Sequence, residues 1–470
     1  MKISSVKCLL IAGLFGMAAA GVNAQTLWGS YFLESAPYRH QLNPALMPNG
    51  NYVAIPVLGN IHFGVNSSAS YSSFIYSVDG YDKLQTFLSS AVSVGDFEKK
   101  LRNKNSISFN MDLSILSFGF YKWNGFNTFD LSLRSRTAMT LPGDLFRLLK
   151  EGNPDDGKYN LKHLSVSQDT SFELALGHAR DLTDEWAVGA KVKALVGGAH
   201  FRTKFNRFDL TMSEDLWEVN YGGSADANLG GLEIITDEDG NITDAKFESN
   251  RAGVSGGGFG FDLGVTYKPI DNLVVSAALT NLGFICWNKN THINLPKNTP
   301  FSFSGFTDIG DNTKDDKGKT SLDRQIDDLF KEDFEYNVTT ANTATALAPT
   351  LTIGGEYSIL QERISFGLLS ATTFYPRLAH TRLMASVNLK PLRFIQFALN
   401  GSVSNLAQTW GAVLKLGPLF LGAEFASLRV TPQYIPVGKV AANVNLGLSV
   451  PFGRKPEPRK LSPLLKYRTR

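Results

Sequence analysis

The sequence is poor in cysteine, with only Cys8 and Cys286 among its 470 residues. Cys8 falls within an N-terminal leader, so one thiol remains, and a fold stapled by intramolecular disulfides is excluded. A strong charge of either sign is also missing. The formal net charge of +3 gives no support to a general polyanion-binding role, nucleic acid included. Beyond the leader no apolar run approaches the roughly 20 residues that a membrane-spanning helix needs. If the mature chain crosses a membrane, it must do so with strands. The seven histidines are scattered without metal-ligand spacing, so neither a catalytic metal nor another cofactor is expected.

What is present begins with Lys2 and Lys7, an apolar run from Cys8 to Ala20, and small residues at Val22-Asn23-Ala24. This pattern predicts a secretory signal peptide over 1–24, cleaved after Ala24. The run is too short for a comfortable membrane helix, and Cys8 lies too early to be a lipidated cysteine.

Glycine and phenylalanine are abundant, at 43 and 32 residues, and several segments alternate strictly. Ile107, Phe109, Met111, Leu113 and Ile115 interleave with Ser108, Asn110, Asp112 and Ser114; Phe259, Phe261, Leu263, Val265 and Tyr267 with Gly260, Asp262, Gly264 and Thr266; Val444, Leu446, Leu448 and Val450 with Asn445, Gly447 and Ser449. A period of two marks strands with one apolar face. The segments run about ten residues, the length that crosses the hydrocarbon layer when tilted. Their second face carries mainly Gly, Ser, Asn and Ala, which suits a crowded or wet lumen better than the outside of a soluble sandwich.

Strands are expected near 52–66, 107–121, 126–138, 170–180, 185–197, 257–267, 273–283, 348–358, 362–371, 380–389, 393–403, 408–416, 419–428 and 440–452. Every second connection is then a tight turn: Lys122 to Gly125, Asp181 to Asp184, Lys268 to Asn272, Ile359 to Gln361, Lys390 to Leu392, and Gly417 with Pro418. Long connections fall on the other side, clearest at 67–106, 139–169, 198–256 and 284–347. The predicted fold class is therefore all-β: a transmembrane antiparallel up-and-down β-barrel of about 14 strands, with short periplasmic turns and long extracellular loops. Tyr121, Trp123, Trp186, Tyr267, Tyr357 and Phe394 lie at strand ends, as an interfacial girdle would place them. Within the loops, Gly143 to Leu149 and Leu84 to Leu101 read as helical, and Ile234 to Ile242 as a hairpin about Asp239-Gly240.

Signals for chemistry are weak. Gly253-Val254-Ser255-Gly256-Gly257 matches a nucleophile pattern, but a glycine-rich strand follows it where a helix is required. Asp237, Asp239 and Asn241 alternate like calcium ligands, yet Ile242 replaces the needed glycine and no Glu closes the loop. Asp308, Asp311, Asp315 and Asp316 fit a solvated loop. No catalytic residue is expected, and the chain reads as a non-enzyme. Asp112, Asp130, Arg134, Glu173, Asp262, Lys268, Gln396, Asn400 and Glu424 share the face opposite the apolar one and would point inward, because charge facing lipid is unfavourable by roughly 2 to 4 kcal/mol for Lys or Arg at midplane. They would either line a solute path or pair with one another to fix the interior. From Arg454 the chain holds seven Lys or Arg against one Glu, with prolines at 456, 458 and 463, and reads as a basic periplasmic tail over 454–470.

Asn43-Pro44-Ala45, the block from Phe259 to Gly283 and the last strand ending at Phe452 resemble the long-chain fatty-acid transporter family of outer-membrane barrels. The layout, with the segment Asn51 to Asn60, resembles still more an uncharacterised outer-membrane family of Bacteroides-like bacteria, and it also resembles barrels of the type IX secretion system. The first resemblance implies fourteen strands at 51–453, passage of small hydrophobic molecules, and a hatch folded into the lumen at 25–50, with Asn43, Pro44 and Ala45 as hatch residues. The implied surroundings are outer-membrane lipid in a Gram-negative bacterium. Two alternatives stay open: a non-transporting scaffold for secretion or cell-envelope proteins, and a soluble surface β-sandwich or adhesin. In the transporter family many barrels stop at the terminal aromatic, whereas this chain continues past Phe452.

Overall fold

The structure is a computed structural model that describes residues 28–151, 157–213, 216–230, 232–236, 242–247, 254–303, 337–375, 378–392, 394–404, 407–426, 429–430, 436–437 and 439–455. The leader, the first residues of the expected hatch, most of the basic tail, the calcium-like loop residues Asp237, Asp239 and Asn241, and the acidic run from Asp308 to Asp316 lie outside the described residues. No described helix is long and apolar enough to cross a membrane.

Eighteen strand segments form one antiparallel sheet. Four pairs of segments lie end to end along a shared neighbour, which leaves fourteen positions. In chain order these are β1 (Asn51–Ala54 and Asn60–Ser70), β2 (Lys104–Lys122), β3 (Gly125–Pro142), β4 (Gly157–Asn160 and Ser165–Asp181), β5 (Trp186–Met212), β6 (Trp217–Leu229 and Gly256–Ile270), β7 (Leu273–Phe303), β8 (Asn337–Ala346 and Thr350–Ile359), β9 (Ile364–Tyr375), β10 (Leu378–Leu392), β11 (Ile395–Ser404), β12 (Gln408–Leu416), β13 (Leu419–Ala426) and β14 (Lys439–Phe452). Each pairs with its chain neighbours, and β14 pairs with both β13 and β1. The sheet therefore closes on itself and leaves no edge, as a wall in lipid requires. A single closed ring is not two stacked sheets, so the β-sandwich alternative falls.

The outward residues form an apolar surface. Val192 and Val196 on β5, Phe259, Phe261 and Leu263 on β6, Leu368 on β9, Leu383 and Val387 on β10, and Val444 and Val450 on β14 are all exposed. Their neighbours in sequence turn inward and are buried, among them Lys191, Lys193, Asp262, Ser386, Asn443 and Asn445. In a soluble protein so much exposed Leu, Val and Phe would be a liability; against acyl chains it is the expected face. Short turns use local backbone chemistry: Trp123 and Asn124 both have positive φ, at 56° and 57°, the two-residue geometry that matches strand twist.

Four sequence expectations need correction. The connections at 198–256 and 284–347 are not simple loops, because β5 continues to Met212, β6 begins at Trp217, and β7 reaches Phe303. That extension loses the outward apolar face, with Arg207 bonded to Asp209 instead, so it carries no membrane signature. The helix expected over Leu84 to Leu101 shrinks to α1 (Val94–Glu98), capped by the Ser93 hydroxyl accepting from the Asp96 amide at 3.1 Å. The helix expected from Gly143 is present as α2 (Gly143–Glu151), and Phe74, Phe87, Phe97 and Phe146 join these loops in one small core. Tyr121 does not belong to the girdle: it turns inward, and its hydroxyl donates to the Pro48 carbonyl at 2.5 Å. Finally, β1 is interrupted. Ala54 pairs with Ser449 and Ile61 with Leu446, so the partner strand advances only three residues while β1 advances seven. Val57 there has φ of 67°, and exposed Ile55, Val57 and Leu58 bulge from the wall.

Candidate functional site

Residues 28–50 precede β1 and fill the lumen. They contain only two single helical turns, Trp28–Ser30 and Arg39–Gln41, yet most of their side chains are buried. Successive tight turns give this plug its compactness: the amide of Tyr31 donates to Trp28, Leu33 to Ser30, Ala36 to Leu33, Leu42 to Arg39 and Leu46 to Asn43, all near 3.0 Å. Backbone groups that no strand pairs are thereby satisfied inside the barrel.

On the side of β9 to β13 the plug is held by apolar packing. Trp28, Tyr31, Phe32, Leu33, Tyr38, Leu42 and Leu46 share one cluster with Leu369, Ala371, Met384, Ala398, Val413 and Phe420 of the wall. Wall glycines admit this approach. A Cβ on Gly367 would lie 2.4 Å from the Phe32 ring. Asn43, Pro44 and Ala45 seat on two more glycines, where a Cβ on Gly264 would meet Asn43 Oδ1 at 2.0 Å and one on Gly189 would meet Pro44 at 2.3 Å. Asn43 donates to the Tyr31 hydroxyl at 3.1 Å and to the Ala277 carbonyl at 3.3 Å, and its Oδ1 accepts from the Ala45 amide at 3.0 Å. Glycine inside a strand here marks close backbone approach.

On the side of β2 to β6 the lumen is ionic. Asp130 accepts from Lys191 at 2.9 Å and from Ser117 at 2.7 Å, and its Oδ2 lies 3.2 Å from His40 Nε2 of the plug. Asp262 pairs with Lys193 at 2.8 Å; Glu173 reaches Lys193 at 3.5 Å and Arg134 at 3.1 Å. Asp112 pairs with Arg136 at 2.6 Å and His62 at 3.1 Å. Apart from His40, all of these groups sit on β1 to β6, and each buried charge has an opposite partner, as burial demands. Burial, with the Lys191 ammonium nearby, pushes the His40 imidazole down to about 3. The ring is thus neutral at pH 7, with Nδ1 3.1 Å from the Pro37 carbonyl and Nε2 facing the carboxylate. Burial alone would raise Glu34 of the plug, but Lys390, Arg39 and the Asn49 amide outweigh it and hold the carboxyl below its ordinary value.

The other inward candidates occupy three settings. Gln396 Oε1 accepts from the plug amide of Ser35 at 3.2 Å. Glu424 pairs with Arg382 and accepts from Ser402 at 3.2 Å. Asn400 lines a cavity of about 30 Å³ with Gly29, His62, Glu424 and Asn445. That volume suits one water, and both side-chain amide atoms of Asn445 are buried without a protein partner. Lys268 does not join the interior: it stands exposed beside the β6–β7 turn, where the strand has left the sealed section. Sequence reasoning missed Lys191, Lys193, Arg136, His40, His62, Arg382, Lys390 and Glu356, the last two paired at 2.7 Å. Alternation alone would have found Lys191 and Lys193, since they share the inward parity of Ala187 and Gly189. Ser255 of the nucleophile-like pattern donates to the Gly198 carbonyl at 2.8 Å, and among the described residues no cluster of metal ligands occurs.

The sequence profile of a family described as of unknown function, DUF5723, matches residues 44–424. No curated protein matches the chain. Among solved structures it is similar to a Pseudomonas aeruginosa FadL homologue, at 10% identity over 90% of this chain and 96% of that one, with a TM-score of 0.43. It is also similar to the Pseudomonas putida toluene transporter TodX, at 10% identity, 92% and 95% coverage and a TM-score of 0.38, and to the CymD monoaromatic hydrocarbon channel, at 8% identity, 93% and 98% coverage and a TM-score of 0.37.

Proposed function

This chain belongs to the DUF5723 family, whose description assigns no activity, and from that footing we propose that it is an outer-membrane barrel admitting small hydrophobic solutes past its N-terminal plug. In this reading 1–24 is an export leader, 25–50 the plug, 51–453 the wall and 454–470 a periplasmic tail. An edgeless wall with an apolar exterior supports the location in a Gram-negative outer membrane.

One observation carries the reading of the solute. The apolar seam between the plug and β9 to β13, from Trp28 and Phe32 to Met384, Val413 and Phe420, is where an apolar guest gains burial at about 25 cal/mol per Å². It competes there with the same contacts that retain the plug. Toward the loop side, Leu195, Ile285, Trp287 and Leu347 form a second apolar cluster, a station on the way in. The inward hydroxyls, amides and paired charges of the remaining wall offer such a guest nothing comparable.

Uptake by protein-containing liposomes tests this, with toluene as the probe. Full-length protein should exceed empty liposomes, and removal of residues 25–47 should raise entry further and let small polar solutes through. Entry equal to that of empty liposomes, with and without the segment, would overturn transport.

A further inference from the structure

The described part of the basic tail does not hang free below the barrel. Past Phe452, the Lys455 amide donates to the Asn49 carbonyl at the base of the plug at 3.0 Å. Its ammonium pairs with Asp181 in the β4–β5 turn, also at 3.0 Å. The chain thus leaves β14 and crosses the periplasmic mouth toward the far rim. That rim is a continuous shelf, because the Lys268 amide donates to the Glu185 carbonyl and the Ser358 amide to the Asn272 carbonyl, each at 2.8 Å, tying the β4–β5, β6–β7 and β8–β9 turns together.

Between the last two of these turns lies an open groove of about 580 Å³ lined by Asp271, Asn272, Ser358, Ile359, Leu360, Gln361 and Glu362. Its chemistry is mixed: exposed Leu360 and Ile359 lie beside the carboxylates of Asp271 and Glu362. Leu360, Gln361 and Glu362 all have positive φ, the left-handed backbone of the turn that forms this wall of the groove. Residues 456–470 carry the matching pattern, with Leu461, Leu464, Leu465 and Tyr467 interleaved among Arg459, Lys460, Lys466 and Arg468. Reach is ample. Four strand spacings of about 4.8 Å separate the Asp181 turn from the groove, whereas fifteen extended residues span up to roughly 50 Å.

We infer that the tail is a strap in cis on the rim: residues 456–470 seat their leucines and basic side chains in the groove between the β6–β7 and β8–β9 turns. This inference is independent of what the lumen admits, since it concerns only the rim and the tail.

Disulfide trapping in full-length protein in lipid vesicles tests it. In a Cys286→Ser background, Asn272→Cys is combined with Leu465→Cys, and a control places the rim cysteine at Lys122→Cys on the β2–β3 turn. The strap predicts an intramolecular disulfide that forms several-fold more with Asn272→Cys than with the control. Adding Asp271→Asn and Glu362→Gln should lower its yield about fivefold to tenfold, the effect of losing two exposed ion pairs. Equal yields at the two turns, disulfides formed only between copies, or a tail cysteine protected only by anionic vesicles would each overturn it.

Discussion

On the β2–β6 side of the lumen, the charged partners belong almost entirely to the wall: Arg134, Glu173, Lys193 and Asp262 bind one another, and within this ionic network the plug enters through His40 and Gln41 at Asp130. On the β9–β13 side the partners are shared between plug and wall, through Phe32 over Gly367 and the cluster around Leu369, Val413 and Phe420. The ionic side stays satisfied when the plug leaves; the apolar side does not. One face of the interior therefore holds the cylinder together, and the other retains the plug. On the proposed function, a solute that resembles the apolar contacts would act on retention without disturbing the wall.

The largest effect expected from this division is on the ionic face. Lys193→Ala leaves Asp262 without its 2.8 Å cation and Glu173 with Arg134 alone, a loss of about 3–5 kcal/mol for a buried pair broken on one side. The temperature at which the compact unheated gel band converts to the extended one should drop, while the plug stays seated. An unchanged conversion temperature would place the stability of the wall elsewhere.

Acid should loosen the plug to a smaller degree. With His40 held near 3 when docked and near 6.5 when released, the released state binds more protons between those values. Docking weakens as pH falls below 6.5, by up to about 1.4 kcal/mol per pH unit. Glu34 acts in the same direction lower down: its docked carboxyl is held below the ordinary value, so its contribution is present above about 4.5 and is lost as pH falls through the docked value. Protease cleavage within 28–50 should rise between pH 7 and pH 5, and His40→Gln should flatten that rise. A rise of equal size in the variant would remove His40 from the explanation.

Much of the wall was legible in the sequence. All fourteen expected strands coincide with the positions of the ring, because a lipid-facing strand writes its apolar face at every second residue, as Phe259 to Tyr267 does. Where lipid stops, the pattern stops, so the extensions of β5 to β7 and the interruption after Ala54 left no trace. The interior was legible by face but not by partner. Alternation pointed Asp130, Glu173 and Asp262 inward, yet the lysines that meet them, Lys191 and Lys193, come from β5 at a height that only the stagger of the ring fixes. The seats of Asn43, Pro44 and Phe32 were hidden for another reason: Gly189, Gly264 and Gly367 read as small residues, and what a glycine makes room for is invisible until the chain is folded.

The most direct measurement is the rate at which a thiol reagent modifies a plug cysteine, Ser35→Cys in the Cys286→Ser background, in two further variants at pH 7. Retention by the apolar face predicts labelling at least tenfold faster with Phe32→Ala than with His40→Gln, in keeping with the loss of a buried phenylalanine. Faster labelling with His40→Gln would contradict it and give the ionic face the hold on the plug.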